Sequence, residues 1–170
     1  YQFAGPNMSL KLVMWPDSIL KEKSLPVTPK NIPKKMYILQ LATFMERKKG
    51  VGISAIQVNN PLRFFILKPH YPGPFKVYYN PRITNNNEPI KLREGCLSTP
   101  DLFASVPRST EIEVEYQTVS QVGTENYTKN KLVGLAAQAF QHELDHLDGI
   151  MYVDYLSLEE KEFIFKKMMD

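Results

Sequence analysis

The sequence contains few of the residues that form disulfides or bind metals, and it has no long apolar segment. Its 170 residues include one cysteine and three histidines. A single cysteine excludes a disulfide within this chain and favours a reducing compartment. No apolar run approaches the length of a membrane span. The net charge of +3 is small and spread along the chain, so we expect neither DNA nor a membrane as a partner.

Length and composition predict one folded domain. A hydrophobic content of 43% is ordinary for a globular protein, and 170 residues suffice for a proper core. The sequence shows no repeat, low-complexity segment or linker. We expect residues 8–170 to form a single domain, because Met8 begins a stretch that resembles a natural start. Residues 1–7 are interpreted as a leader or a cloning remnant.

Hydrophobic periodicity and turn residues predict an α+β fold, with antiparallel β-sheets packed around a central helix and with a C-terminal helix. Residues 135–148 form the central helix, and a capping box at Ser157 begins the last one. We expect Asn80-Pro81 to end a short strand and residues 84–88 to form a hairpin turn. The other predicted elements are a helix over 33–49 and strands over 63–67, 77–79, 112–116 and 127–133.

The central helix carries His142-Glu143-Leu144-Asp145-His146, an H-E-x-x-H motif. Residues four apart lie on one face of a helix, so both imidazoles can bind one metal ion. Glu143 can then reach a water molecule on that metal. The same motif also occurs in helices that bind nothing. Gly149 follows at a place where helices commonly end.

Cys96 is the candidate for a third metal ligand. It lies in the loop Glu94-Gly95-Cys96-Leu97-Ser98, beside a glycine and near hydroxyl groups. A lone cysteine is usually a small buried hydrophobe, and for this loop alone both interpretations stay open. Three protein ligands and one water are the arrangement of a catalytic metal site. A thiolate with two imidazoles suits zinc and iron(II), among other metals.

Together these residues predict hydrolysis at a carbonyl group. A metal-bound hydroxide would attack the carbonyl carbon, and Glu143 would pass the proton to a leaving amine. The attack builds an oxyanion, which needs hydrogen-bond donors. The backbone N–H of Leu97 and the side-chain amide of Gln57 are the candidates. Gln57 has the longer reach of the two side-chain donors, Ser54 and Gln57, that follow the glycines at 50 and 52.

Three segments, in this order, resemble the peptide deformylase family. They are the glycine loop of residues 50–57, Glu94-Gly95-Cys96-Leu97-Ser98, and Gln141-His142-Glu143-Leu144-Asp145-His146-Leu147. The second and third match the family pattern fully. The first has Ser54 where alanine is commoner and Ile56 where proline is frequent, and both positions vary in the family. The resemblance extends from about Met8 to the C-terminal helix.

The resemblance implies a hydrolase that removes the formyl group from the N-terminal formylmethionine of nascent polypeptides and releases formate. It implies one divalent metal ion per chain, with iron(II) as the native metal and zinc, nickel or cobalt as substitutes. The substrates would be N-formylmethionyl nascent peptides, and the ribosome near its exit tunnel would be a partner. The expected location is the bacterial cytoplasm, or an organellar matrix if the source is a eukaryote. Residues 8–170 would be the catalytic domain.

The resemblance also implies roles for individual residues. The metal ligands would be Cys96, His142 and His146, and the catalytic residues would be Glu143, Gln57 and Leu97. The substrate-binding residues would be Val51, Leu92, Leu135 and Ala139 around the methionine side chain, and Gly52 and Gly95 along the main chain. Gln138 departs from the family, because that position of the pocket is often aliphatic.

Other functions fit part of the pattern. H-E-x-x-H alone also predicts a zinc-dependent endopeptidase, but that enzyme needs a third ligand downstream, and no histidine follows Gly149. A metal-binding but inactive ribosome-associated module would lack Glu143, Gln57 or Cys96, and all three are present. A structural zinc site would need a fourth protein ligand, and there is no second cysteine to provide it.

Charged residues near the motifs have two interpretations each. Asp145 and Asp148 are candidates to orient the histidines, or they are surface charges. Glu94 and Arg108 are candidates for a pair that braces the cysteine loop, although an exposed ion pair would contribute little. We expect His70, which lies between two prolines, to be exposed and structural.

Overall fold

The structure is a computed structural model that describes residues 9–170, so the interpretation of residues 1–7 lies outside the described residues. The predicted α+β class is confirmed. The helices are α1 (Lys35–Arg47), α2 (Gly134–Leu147) and α3 (Leu158–Met169), and the strands are β1 (Gly52–Ser54), β2 (Phe64–Leu67), β3 (Lys76–Asn86), β4 (Ile90–Cys96), β5 (Thr99–Arg108), β6 (Glu111–Gln117) and β7 (Thr128–Val133). Short 3₁₀ helices span Ser18–Lys21, Ala55–Val58 and Tyr152–Tyr155. Within residues 9–170, no helix combines the length and apolar content needed to cross a membrane.

Five strands form one antiparallel sheet in the order β1-β2-β3-β6-β7. All four residues of β2 are buried, and its alternate side chains point to opposite faces of the sheet. Phe64 and Ile66 pack in one cluster with Leu41 of α1. Phe65 packs in the other cluster against Phe140 of α2, with ring centres 5.1 Å apart. Because each face is covered by a helix, β2 is a continuous apolar run rather than an alternating one.

Strands β4 and β5 form a separate two-stranded antiparallel sheet. A two-residue turn, Leu97-Ser98, joins them, and Cys96 pairs with Thr99 across it. The sequence analysis did not identify β5, because Pro100 and Pro107 interrupt its pattern. Proline is tolerated here because β5 has one neighbouring strand, so some of its N–H positions need no partner in the ladder.

Most of the other predicted elements are confirmed. Strands β6 and β7 pair as expected. Ser157 caps α3, because its Oγ accepts a hydrogen bond from the Glu160 N–H at 3.2 Å while the Glu160 carboxylate accepts one from the Ser157 N–H. His70 is exposed. The predicted strand over 63–67 and the predicted helix over 33–49 are confirmed, with bounds that differ by one or two residues.

Two predictions about β3 are wrong. The strand does not end at Asn80-Pro81 but continues to Asn86. Asn80 adopts a positive φ of 48°, and the register against β6 shifts between Tyr79 and Arg82. Asn80 also accepts from the Val27 N–H at 2.8 Å, which holds the bend in place. Residues 84–88 form no hairpin, because β3 and β4 belong to different sheets.

Candidate active site

Helix α2 brings its two histidines to one point. The spacing of four residues places the Nε2 atoms of His142 and His146 3.2 Å apart. Both side chains are buried. The helix stops just after His146, because Gly149 adopts φ of 76° and a Cβ there would collide with the Lys21 carbonyl oxygen.

Cys96, at the end of β4, completes a three-residue group. Its Sγ lies 3.4 Å from His146 Nε2, and the three donor atoms lie within 4.8 Å of one another. A tetrahedral zinc ion about 2.0 Å from nitrogen and about 2.3 Å from sulfur would separate its ligands by about 3.3–3.6 Å. The separations of 3.2 Å between the two histidines and 3.4 Å between Cys96 and His146 are close to these values, so Cys96, His142 and His146 fit one metal ion. Residues 9–170 contain no second group of this kind.

The pKa values of the two histidines are shifted in opposite directions. Burial lowers the pKa of His146 well below its usual value, and the positive charges of His142 and Arg108 lower it further. A lowered pKa favours the neutral imidazole of His146, which has a lone pair for a metal. Burial also acts to lower the pKa of His142, but Cys96 and the Glu94 carboxylate raise it well above its usual value. A metal ion bound at this point would displace the His142 proton.

A buried ion-pair network contacts His142 at Nδ1, the ring nitrogen that does not face His146. Glu94 Oε1 lies 3.2 Å from His142 Nδ1, and Arg108 Nε donates to both Glu94 oxygens, at 3.0 and 3.1 Å. Arg108 Nη1 donates to Asp145 Oδ2 at 2.7 Å, and the Tyr155 hydroxyl donates to the same oxygen at 2.8 Å. The predicted pair of Glu94 and Arg108 is confirmed, and it is buried rather than exposed. Burial acts to raise the pKa of Glu94, but His142 and Arg108 lower it overall.

One of the two interpretations of Asp145 and Asp148, that they orient the histidines directly, is wrong. Within residues 9–170, Asp145 is linked to His142 through Arg108 and Glu94 rather than by direct contact. Asp148 pairs with Arg63 instead, at 2.8 Å. The side chain that touches His142 is Glu94, and it does so because its position on β4 points it inward.

Glu143 lies against strand β1. Its side chain is buried, and Oε1 accepts a hydrogen bond from Ser54 Oγ at 2.9 Å. A Cβ built on Gly52 would lie 2.9 Å from Glu143 Oε2, so the carboxylate rests on the bare backbone of that glycine. Burial raises the pKa of Glu143, although His142 and the Ser54 hydroxyl act against this. A carboxyl group with a raised pKa is suited to exchange protons near neutral pH.

Gln57 is held in one orientation beside Cys96. Its Oε1 accepts a hydrogen bond from the Ser54 N–H at 3.0 Å. Its Nε2 donates to Ser98 Oγ at 3.1 Å and lies 3.5 Å from Cys96 Sγ. Leu97, the residue after Cys96, lines the same cavity as Gln57. The structure therefore places both predicted oxyanion donors next to the metal group.

A cavity of about 410 Å³ opens onto these side chains. Its lining includes five of the six predicted substrate-binding residues, which are Val51, Gly52, Gly95, Leu135 and Ala139. The sixth, Leu92, is not among the lining residues, whereas its neighbour Arg93 is. Gln138 also lines the cavity, and its Nε2 donates to the Arg93 carbonyl oxygen at 2.9 Å.

Phe103 was missed in the sequence and shapes the cavity. It pairs with Gly95 across the β4–β5 hairpin, and a Cβ on that glycine would lie 2.7 Å from the Phe103 ring. The Arg93 guanidinium lies 5.0 Å from the centre of the same ring. No local pattern marks Phe103, because only the register of β5 brings it to the cavity.

Comparisons with known proteins agree on one family. A family model described as polypeptide deformylase matches residues 9–162. The chain is 34% identical to a peptide deformylase of Pelagibacter ubique, covering 95% of this chain and 94% of that protein. It is 36% identical to a peptide deformylase of Thermotoga maritima, covering 91% of each. Among solved structures, a peptide deformylase from Legionella pneumophila gives a TM-score of 0.85 at 27% identity, covering 94% of this chain and 93% of that one. A peptide deformylase from Synechococcus elongatus in complex with actinonin gives 0.83 at 26% identity, covering 99% and 91%.

Proposed function

The chain belongs to the polypeptide deformylase family, and we propose that it removes the formyl group from the N-terminal formylmethionine of nascent polypeptides, with Glu143 as general acid and base. Family membership makes it an enzyme, a deformylase that depends on a metal. The identity of the substrate, the roles of individual residues and the native metal are the parts that we propose.

The observation that supports this proposal most strongly is the meeting of a metal group with a buried carboxylate in one cavity. Cys96, His142 and His146 form the metal group. Glu143 and Gln57 line the same cavity as Cys96 and His142. Three protein ligands leave a coordination position for water or substrate, which is the arrangement of a catalytic site rather than a structural one.

The chain's own residues supply the proton transfers and the charge stabilisation. When bound, a divalent metal makes a water molecule acidic near neutral pH and polarises a carbonyl group. Glu143 takes a proton as the water oxygen attacks the formyl carbon. The same carboxyl group then gives the proton to the methionine nitrogen as the C–N bond breaks, and formate leaves. The raised pKa of Glu143 supports both transfers.

The formyl oxygen gains negative charge during this attack and needs donors. Gln57 Nε2 and the Leu97 N–H are the groups that we propose for it. The Gln57 amide is held with its nitrogen toward Cys96. Leu97 lies in the hairpin turn, and within residues 9–170 its N–H makes no hydrogen bond to another backbone group.

The walls of the cavity support a methionine-like side chain next to the formyl group. Val51, Leu135 and Ala139 contribute apolar surface. Gly52 of β1 and Gly95 of β4 line the cavity without side chains, and we propose that an extended substrate chain forms hydrogen bonds with the backbone there. Leu92 stays a prediction that the lining of the cavity does not support.

Iron(II) is the metal that we propose in the cell, with zinc, nickel or cobalt as substitutes. A cysteine thiolate and two imidazoles accept all of these ions, so the fit of the donor set alone does not choose between them. Formylated nascent peptides are the substrates that family membership implies. Contact with the ribosome near its exit tunnel, and a place in the cytoplasm or an organellar matrix, stay predictions.

The endopeptidase alternative has less support. It needs a third metal ligand after α2, but Glu160 serves as the cap of α3. In the described part of the chain, the third residue of the metal group is Cys96. The inactive module is also disfavoured, because Glu143, Gln57 and Cys96 all line the cavity.

The test is formate release from formyl-Met-Ala-Ser by anaerobically purified protein. We expect release that a chelator removes and added iron(II) restores, and we expect no change in acetyl-Met-Ala-Ser under the same conditions. Mass spectrometry of both peptides separates the alternatives, because an endopeptidase would cut an internal bond. A folded, metal-loaded protein that releases no formate would contradict the proposal.

Binding of actinonin gives an independent test. The Synechococcus relative is a complex with this compound, and we expect the present chain to bind it as well. Actinonin should raise the melting temperature of the metal-loaded protein more than that of the chelated protein. Equal effects on both samples would show that the compound does not bind at the metal centre.

A further inference from the structure

Two residues of strand β1 lie against the Glu143 side chain. Gly52 and Ser54 are two apart on the strand, so they point to the same face of the sheet. We propose that these two residues form a socket that fixes the Glu143 carboxylate, and that the Ser54 hydroxyl is a positioning residue for deformylation. This inference rests on the proposed function, because it assigns how the catalytic carboxylate is held.

The Ser54 hydroxyl is placed to hold one oxygen of the carboxylate. Ser54 is fully buried, and its Oγ lies 2.9 Å from Glu143 Oε1 and 2.9 Å from the Glu143 carbonyl oxygen. A hydroxyl has one proton, and in the state in which Glu143 is ionised the bond to its carboxylate is the stronger of the two choices. Within residues 9–170, Ser54 is the one side chain that donates a hydrogen bond to the Glu143 carboxylate.

Gly52 leaves free the space that the other oxygen occupies. A Cβ at Gly52 would lie 2.9 Å from Oε2 and 3.2 Å from Cγ of Glu143. Gly52 is not among the glycines with positive φ, so the position needs glycine for space rather than for backbone freedom. Gly52 lines the cavity and Ser54 does not. The socket therefore holds Oε1 on the buried side and leaves Oε2 on the side where water and substrate enter.

The main chain and the side chain of Ser54 do separate things. Its N–H donates to Gln57 Oε1 at 3.0 Å, and any residue except proline at this position would supply that bond. Only the hydroxyl reaches Glu143. Ser54→Ala therefore removes the hydrogen bond to Glu143 and keeps the hydrogen bond to Gln57. The smaller alanine side chain fits the same space.

We expect Ser54→Ala to lower kcat about tenfold, since the loss of one bond to a charged group allows the carboxylate to adopt other rotamers. KM should stay within about twofold of the original value, because Ser54 does not line the cavity. Ser54→Thr keeps the hydroxyl and should retain more of kcat than the alanine variant. Metal content should be the same in all three proteins.

Ser109→Ala is a matched control. Ser109 is also buried, and its Oγ donates to the Asn87 carbonyl oxygen at 2.6 Å, but it does not touch Glu143 or line the cavity. This variant loses both hydrogen bonds of the Ser109 hydroxyl, the one to the Asn87 carbonyl oxygen and the one from Asn86 Nδ2, and should keep kcat. If both alanine variants lose kcat equally, the effect of Ser54 is one of general stability, and the proposal is overturned.

A crystal structure of Ser54→Ala gives a readout that does not depend on activity. We expect the Glu143 carboxylate to leave its single orientation or to occupy more than one. An unchanged orientation, or an unchanged kcat in the metal-loaded variant, overturns the socket. If the unmodified protein releases no formate, the proposed function fails, and the orientation of Glu143 still decides whether Ser54 holds it.

Discussion

Helices α1 and α2 cover opposite faces of the same sheet, but they bury different kinds of side chain. The buried residues of α1 are Tyr37, Ile38, Leu41, Ala42 and Met45. The buried residues of α2 are Ala137, Ala139, Phe140, His142, Glu143, His146 and Leu147. The face under α1 is therefore a core, whereas the face under α2 combines a core with the proposed reaction site.

The difference shows how the fold accommodates buried charge. An ionisable group in an apolar interior is costly unless a partner accompanies it. On α2, His142 has Glu94, and Glu143 has Ser54. The Nδ1 atoms of both histidines are buried and make no hydrogen bond within residues 9–170, although His142 Nδ1 lies 3.2 Å from Glu94 Oε1. We infer that the α1 face supplies the stability that offsets the cost of these groups, so damage to the two faces should have different consequences.

The largest expected effect is on activity, from Glu143→Gln on the α2 face. The amide cannot transfer the proton, so kcat should fall by about 10²–10⁴-fold. The melting temperature should stay the same or rise, because a neutral group replaces a buried carboxyl whose pKa is raised by burial. Formate release and thermal melting on the same samples give the two values. A variant that keeps activity would remove Glu143 from the mechanism.

The next largest effect is expected from Arg108→Gln, because Arg108 contributes both to the stability of the fold and to the support of His142. This change leaves the buried Glu94 carboxylate without its cation, which should cost about 3–5 kcal/mol of unfolding free energy. It also loosens the support of His142, so metal affinity should fall by about 10–100-fold. Denaturant unfolding and competition with a metal chelator measure the two losses. A loss of stability with unchanged metal affinity would show that the Glu94–Arg108 pair stabilises the fold but does not support metal binding.

Leu41→Ala should damage the α1 face alone. Leu41 is fully buried, and its truncation should lower the unfolding free energy by about 2–5 kcal/mol. The value of kcat per folded, metal-loaded chain should not change. Leu39→Ala on the same helix is the control, because Leu39 is 43% exposed and should cost less than about 0.5 kcal/mol. Loss of kcat in Leu41→Ala at a temperature where the protein is folded would weaken the contrast between the faces.

The smallest effect should be a pH dependence from Glu94. Its pKa is lowered in the folded protein by His142 and Arg108, against about 4.3 in an unfolded chain. The stabilisation is therefore complete above about pH 4.3 and is lost as the pH falls through the lower folded value. Between pH 5 and pH 3, the original protein should lose more unfolding free energy than Glu94→Gln. Glu113→Gln, on the exposed side of β6, should keep the original profile.

The sequence predicted the metal group because the signals for it are local. The spacing of His142 and His146 requires only a helix, and Gly149 marks where that helix ends. The α+β class and the pairing of β6 with β7 followed from periodicity and turns in the same way. The signal for Cys96 is weaker, since its partners are distant in sequence and only the loop around it marks it.

The parts that the sequence did not predict depend on how elements face each other. Glu94 rather than Asp145 contacts His142, because the alternation along β4 decides which residue points inward. Phe103 lines the cavity because of the register of β5, a strand that the sequence pattern does not reveal because two prolines interrupt it. Asn80-Pro81 looked like the end of a strand, but a positive φ at Asn80 and a shift in register let β3 continue. In each case the information lies in pairing between segments and not within one segment.

The most direct test of the central claim is an anaerobic titration of chelator-stripped protein with iron(II), with bound metal and formate release measured on the same samples. We predict that the release of formate from formyl-Met-Ala-Ser rises in proportion to bound iron and stops rising at about one ion per chain, as three ligands around one ion require. Cys96→Ala should show neither the binding nor the rise. Full release from the stripped protein, or release that does not follow bound iron, would contradict the account.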